Sequence, residues 1–314
     1  MSNKIWIIGA GQIAQEYAKI LNSLNRDFLV IGRGETRVTE FINATGYKAI
    51  SGGLDNYIST SPSIPEFAIV ATDVSSLASS CISLIKAGVK KIFCEKPGFL
   101  YPKECKIVSE LAIINNARVF IAYNRRFYAS VKKAIEIIKE DGGVKSFNFE
   151  FTEWTHIIEK LEKPKAVFDN WFYANSTHVV DLAFFLGGNP IDIKAYTSGK
   201  ISWHKPIVFA GAGITDKGAL FNYEANWIAP GRWGVEILTS KHRLYLRPME
   251  QLQIQDLGSI AINKVNIDDS LDIEYKPGFY LQTKAFLEDD YTQLCTIEEQ
   301  RKNVDLIYSK ILGK

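Results

Sequence analysis

Gly9-Ala10-Gly11-Gln12-Ile13-Ala14 stands directly after the apolar run Lys4–Ile8 and opens a stretch in which Ile13, Tyr17, Ile20, Leu21 and Leu24 share one helical face. In that setting a glycine at 9 allows a tight turn, and a glycine at 11 lets backbone approach a pyrophosphate. Ala14 keeps the helix close to a sheet, and the helix start offers N–H groups and positive dipole to phosphate. Gly9, Gly11, Gln12 and Ile13 are therefore candidate dinucleotide contacts; the alternative is a tight turn that binds nothing. A second chemical stretch, Cys94-Glu95-Lys96-Pro97, follows the apolar run Lys91–Cys94. Ligands of open α/β sheets bind beyond the carboxyl ends of strands, so Glu95 and Lys96 are expected to point at the crevice.

The end of the second apolar run distinguishes two dinucleotides. It reads Val30-Ile31-Gly32-Arg33-Gly34, with no carboxylate until Glu35. An Asp or Glu at that place accepts hydrogen bonds from the ribose 2′-OH of NAD. A guanidinium at Arg33, with Thr36 and Arg37 close behind, fits the 2′-phosphate of NADP. NADP is the expected cofactor. NAD remains the alternative, with Glu35 taking the 2′-OH and both arginines solvated. Thr72 and Asp73, after a further strand, are expected to border the cofactor.

These groups need a frame, and the pattern of apolar residues supplies one. Near-continuous apolar runs at Lys4–Ile8, Phe28–Ile31, Phe67–Ala71, Lys91–Cys94 and Val119–Tyr123 alternate with amphipathic helical segments. That alternation predicts a parallel sheet covered on both faces, a doubly wound Rossmann domain over residues 1–125. Beyond it the period changes to two. Phe147, Phe149 and Phe151 alternate with Asn148, Glu150 and Thr152, and Phe221, Tyr223 and Trp227 with Asn222, Glu224 and Asn226. The expected second domain, residues 126–280, is α+β, with an open-faced mixed or antiparallel sheet covered on one side by helices. Val304, Ile307, Tyr308 and Ile311 mark a C-terminal helix, and the helices of about 280–314 are expected to pack back on the first domain.

Composition narrows the function. The chain has 314 residues, 46% of them hydrophobic and 23% charged, as in an ordinary globular protein. Lys+Arg 37 against Asp+Glu 35 gives a net charge of +2, which makes no electrostatic case for nucleic acid or an anionic membrane. No apolar run approaches the roughly 18 residues of a membrane span. Cys81, Cys94, Cys105 and Cys295 lack metal or redox spacing, so no metal is expected, and buried thiols point to a cytoplasmic location.

The glycine loop, Glu95-Lys96-Pro97, Tyr123-Asn124-Arg125-Arg126-Phe127 and Asn175-Ser176-Thr177-His178-Val179-Val180-Asp181 together resemble the glucose–fructose oxidoreductase/inositol dehydrogenase (Gfo/Idh/MocA) superfamily, over essentially the whole chain. The resemblance implies a Rossmann domain followed by an open sheet that holds substrate. It also implies a homodimer or homotetramer joined through that sheet, and hydride transfer at a hydroxyl or keto carbon of a sugar or sugar derivative. Under it, Lys96 holds the nicotinamide ribose and the reacting hydroxyl, stabilising charge on oxygen, and Glu95 fixes the lysine or the cofactor. His178 is the general acid/base, its imidazole titrating near working pH. The competing reading makes His178 a core residue on a helical face with Leu182 and Phe185.

One departure matters. Many family members carry Asp four residues before this histidine; here the position is Ala174, and Asn175 can donate a hydrogen bond but no negative charge. Asn124, Arg125 and Asn175 are candidate substrate contacts, and consecutive arginines suit a phosphorylated or nucleotide-linked sugar. The alternative at 124–126 is a hinge whose arginines pair with carboxylates. Aromatics such as Trp154 and Trp233 are expected in core or interface more than on a sugar. Ala174 also keeps open a different class of function, a catalytically silent dinucleotide-binding sensor or partner subunit.

Overall fold

The computed structural model describes residues 4–314. They form two compact units: the chain up to Tyr123 together with Glu274–Arg301, and Asn124–Ile273 together with Lys302–Lys314.

In the first unit β1 (Ile5–Ile8), β2 (Phe28–Ile31), β3 (Ala49–Ile50), β4 (Phe67–Val70), β5 (Lys91–Glu95) and β6 (Arg118–Ala122) are parallel and lie in the order β6-β5-β4-β1-β2-β3. The short Cys295–Thr296 strand adds antiparallel to β6. Because the strands are parallel, their carboxyl ends share one edge, and the order reverses between β1 and β4, where such sheets bind ligands. The strands read as apolar runs because both faces are covered: β1 is buried throughout. The Gln12–Ser23 helix lays Ala14, Tyr17, Ala18, Ile20 and Leu21 inward. The Phe279–Leu287 helix belongs here through its rings, with Phe286 stacked on Phe93 at 4.9 Å and Phe279 tilted on Tyr17 at 5.2 Å. Ala49–Ile50 and Cys295–Thr296 were not expected, since two residues are too short for any period to register.

The second unit holds an eight-stranded mixed sheet. Its strands are β7 (Ser146–Glu150), β8 (Pro190–Ser198), β9 (Val208–Thr215), β10 (Leu220–Asn226), β11 (Gly234–Leu238), β12 (His242–Leu246), β13 (Gln253–Asp256) and β14 (Asn263–Lys264). The order is β14-β13-β12-β11-β7-β10-β9-β8, with β7 and β10 parallel and the other pairs antiparallel. The period-two reading holds at side-chain level. Phe147 stacks beside Phe221 at 5.3 Å and Phe149 beside Tyr223 at 5.3 Å, and Phe184 of the Thr177–Gly187 helix meets this layer edge-on. A Cβ on Gly187 would run into the Phe147 ring, so glycine is what lets this helix end against the sheet. The opposite face is polar around β7 and carries cross-strand pairs such as Arg247–Glu150 at 2.8 Å.

The C-terminal tail does not return to the first unit as a whole, as the periodicity suggested. Lys302–Lys314 groups with the second unit, where Tyr308 meets Phe172 and Tyr173 edge-on and the last helical turn lies on β8. An apolar stripe announces that a helix must be covered; it does not say by which core. Among the described residues no helix is long and apolar enough to cross a membrane.

Candidate active site

In the first unit the tight turn after β1 is built as the loop requires. Gly9 has φ +111°, and a Cβ there would collide with the Ala71 carbonyl at the end of β4. Only glycine therefore lets the ends of β1 and β4 come together. Gly11 is the N-cap of the Gln12–Ser23 helix, and a Cβ on it would meet nothing within 4 Å. The first intrahelical bond runs from Gln15 N–H to the Gly11 carbonyl at 3.2 Å. The amides before it, at Gln12, Ile13 and Ala14, belong to the donors that a helix start cannot satisfy itself. An open approach, a glycine without bulk and unspent N–H groups at a positive helix end fit a phosphate-bearing dinucleotide.

Arg33 follows β2 and reaches across to the turn after β4, its guanidinium donating to Ser76 Oγ at 3.1 Å. That bond brings Arg33 to the same rim as Thr72 and Asp73, which stand just before the Val74–Ser76 turn. Thr36 is exposed in the first turn of the Glu35–Thr45 helix, and Arg37 pairs with Glu40 at 3.0 Å. The structure thus gathers Gly9, Gly11, Arg33, Thr72 and Asp73 at one edge, while Arg37 is engaged along its own helix.

Glu95 ends β5 as a buried carboxyl that accepts a hydrogen bond from the Tyr17 phenol at 2.6 Å. Burial pushes its pKa up, against the opposing pull of that hydrogen bond and of the Lys96 and Lys276 charges. Gln282 of the returning helix donates in turn to the Tyr17 oxygen at 3.3 Å. Tyr17 was read only as a core position on an amphipathic face. Its phenol ties the first helix to the Glu-Lys-Pro turn, and a helical period cannot reveal that.

In the second unit the Asn175–His178 stretch begins in a π-helical turn, Phe172–Ser176, that leads into the Thr177–Gly187 helix. Such local over-wide turns recur at functional sites. His178 is buried, with its ring 6.2 Å from Trp233. A buried carboxylate that sequence reading missed lies against this turn. Glu153, buried just past β7, accepts from Asn175 Nδ2 at 3.1 Å and from Ser176 Oγ at 2.7 Å. Asn175, in the π-helical turn, stands three residues before His178 in the helix that follows. No spacing links Glu153 to Asn175 along the chain; only the fold does.

Asn124 and Arg125 lie in the short 3-10 helix Asn124–Phe127. The Asn124 side chain bonds to Tyr128, and the Arg125 guanidinium stacks on Trp233 at 4.7 Å. Arg126 is instead buried in a two-point ion pair with Asp181, its Nε and Nη2 donating at 2.8 and 2.6 Å. Arg126 is thus paired with a carboxylate, as the hinge alternative expects, while Arg125 packs on an indole face. Of the other histidines, His204 packs on Trp227 at 4.7 Å and His242 bonds Asp141 at 2.6 Å.

Residues 3–123 match the model of the Gfo/Idh/MocA family, described as an oxidoreductase family with an NAD-binding Rossmann fold. Solved structures of the same fold include levoglucosan dehydrogenase in complex with NADH and L-sorbose, at 16% identity and TM-score 0.80, covering 100% of this chain and 98% of that one. UDP-N-acetylglucosamine 3-dehydrogenase from Acidithiobacillus ferrooxidans aligns at 15% identity and TM-score 0.75, covering 99% and 97%. An oxidoreductase from Agrobacterium radiobacter in complex with NAD+, L-tartaric acid and magnesium aligns at 15% and 0.75, covering 100% and 98%. No curated protein matches the chain. The family resemblance read from the sequence is thus matched over residues 3–123, and over the whole chain the solved neighbours share the fold.

Proposed function

We propose that this chain is an NADP-preferring oxidoreductase that moves a hydride between nicotinamide and a hydroxyl or keto carbon of a sugar or sugar derivative. The observation that carries the cofactor reading is the rim of the first unit, with its open glycine turn and Arg33 where an NAD enzyme places a carboxylate. A bound nicotinamide cofactor supplies or accepts the hydride. The Lys96 ammonium binds the reacting oxygen and stabilises the charge that develops there. His178 takes the hydroxyl proton in oxidation and returns it in reduction. Glu95, held by Tyr17, fixes the backbone that presents Lys96. The sugar assignment draws support from neighbours of the same fold, among them levoglucosan dehydrogenase in complex with levoglucosan or L-sorbose and a UDP-N-acetylglucosamine 3-dehydrogenase.

NAD is the second reading, favoured by the NADH and NAD+ in neighbouring structures and by exposed Glu35 in the turn after Arg33. Titrating the full chain with NADPH and NADH by fluorescence, then screening sugars and nucleotide sugars for absorbance change at the nicotinamide band, separates these readings. Tighter NADPH with turnover supports the proposal; tighter NADH refutes the Arg33 argument. Tight cofactor binding with no turnover points to a silent sensor or partner subunit.

The same reading includes a cytoplasmic dimer or tetramer joined through the open sheet face. Supporting it are the exposed apolar side chains Ile191, Tyr196 and Leu220 on β8 and β10. Sedimentation of a monomer at micromolar concentration would refute the assembly.

A further inference from the structure

Arg125 is a half-buried cation that forms no ion pair among the described residues. Its Nε is itself buried and makes no hydrogen bond among the described residues, and its nearest strong contacts are aromatic faces, Trp233 at 4.7 Å and Tyr128 at 5.8 Å. Burial pushes its pKa down, and the influences of Tyr128, Glu250 and Glu153 that oppose this act only through space. A guanidinium partly withdrawn from water in this way costs free energy unless something of opposite charge reaches it.

A second guanidinium faces the same ring. Arg232 lies over Trp233 at 4.6 Å and over the half-exposed Trp154 at 4.4 Å. Its only carboxylate neighbour among the described residues, Glu153, stands at 3.9 Å, beyond hydrogen-bond length, and already accepts from Asn175 and Ser176. Neither guanidinium therefore donates a hydrogen bond to a carboxylate among the described residues, Arg232 having only its long ion pair with Glu153, and the indole that carries them is also the neighbour of His178.

We propose that Arg125 and Arg232, mounted on Trp233, form an oxyanion-binding subsite, and that the sugar-type substrate carries a carboxylate or phosphate which these arginines bind. This rests on the oxidoreductase reading above for the sugar, while the anion requirement rests on the two arginines alone. The chemistry follows from the parts. Guanidinium forks match carboxylate and phosphate oxygens two at a time, and Trp154 and Trp233 present apolar faces of the kind that lie against a sugar ring. An anion arriving here would bring both acceptor oxygens and the opposite charge to the two guanidinium groups; a neutral sugar could offer hydroxyl acceptors but no charge.

The test is direct binding to the full chain with saturating NADPH, read by tryptophan fluorescence and calorimetry so that no turnover is needed. Four probes are used: D-glucose, D-glucuronate, glucose 6-phosphate and UDP-glucose, with UDP as the control for the nucleotide portion. At least one anionic sugar should bind about tenfold tighter than D-glucose, a difference of about 1.4 kcal/mol. Its affinity should fall as salt rises from roughly 0.05 to 0.5 M, the range over which screening grows strong. Preference for D-glucuronate assigns a sugar acid, for glucose 6-phosphate a sugar phosphate, and for UDP-glucose over UDP a nucleotide-linked sugar. Arg232→Gln, at a half-exposed position, should remove most of that preference while leaving NADPH affinity and D-glucose affinity unchanged. Arg125→Lys keeps the charge but loses the fork, and should weaken the anionic probe alone. Equal affinity for neutral and anionic sugars, binding by neither these sugars nor inorganic phosphate, or an anion preference that survives Arg232→Gln and Arg125→Lys overturns the proposal. The sugar reading can fail on its own, if inorganic phosphate binds through both arginines and no sugar does.

Discussion

Tyr17→Phe isolates one hydrogen bond in the interior of the first unit. The phenol donates to Glu95 at 2.6 Å and receives from Gln282 at 3.3 Å, and Tyr17 is fully buried. Phenylalanine fills nearly the same volume, so the change removes the bond without opening a cavity. A hydrogen bond to a charged group contributes about 1.5–3 kcal/mol, and one to a neutral group about 1 kcal/mol. Which applies depends on the protonation of Glu95, and burial holds its pKa above the ordinary carboxylate value. A carboxyl raised in the folded state stabilises fully below its unfolded pKa, and that contribution is lost as pH rises through the folded value. The Tyr17 bond opposes the rise, so deleting it lifts the folded pKa further and enlarges the loss at high pH. Tyr17→Phe should therefore cost about 1 kcal/mol near pH 4.5 and about 2 kcal/mol near pH 8. For a unit of about 150 residues, the larger figure lowers Tm by roughly 4–8 °C. Urea titration at both pH values, read through tyrosine and tryptophan signals, measures it. A cost equal at the two pH values, or no cost, refutes the claim that the phenol serves an ionised Glu95.

Other perturbations follow from named contacts. Arg33→Asp, replacing the guanidinium at the rim by the carboxylate of NAD enzymes, should move cofactor preference toward NADH by tenfold or more, roughly one charge-assisted bond; an unchanged ratio of Kd values removes Arg33 from selectivity. Lys96→Ala should abolish turnover, with kcat/KM down by about 100-fold or more and the circular dichroism spectrum unchanged; retained activity refutes its assignment. Asp181→Asn leaves the buried Arg126 guanidinium without its counter-charge and should cost about 3–5 kcal/mol in a denaturant titration of the second unit. Gly9→Ala forces a side chain at φ +111° into the Ala71 carbonyl; it should lower Tm and weaken NADPH binding together, and full NADPH affinity would show that the turn is not the phosphate cradle.

What the residues determined by themselves was whatever repeats or clusters locally. Continuous apolar runs and their helical partners specify a covered parallel sheet, because each strand must be buried on both faces. Alternating Phe147, Phe149, Phe221 and Tyr223 specify a one-sided sheet, because successive side chains point to opposite faces. Gly9 and Gly11 directly after an apolar strand specify a tight turn into a helix, since at Gly9 no other residue tolerates that backbone. Most of the fold, and the half of the candidate site made by consecutive residues, was legible in this way. The remainder depends on partners with no sequence relation. Tyr17 meets Glu95 across 78 positions and Asn175 meets Glu153 across 22. Arg125 and Arg232 share Trp233 only because the fold brings their segments together. The two consecutive arginines look alike in the chain, yet Arg126 is spent on Asp181 while Arg125 is left with an indole face. Periodicity records which side of an element must be buried. The identity of the group it meets, and hence which charges remain available for a ligand, is decided by tertiary packing alone.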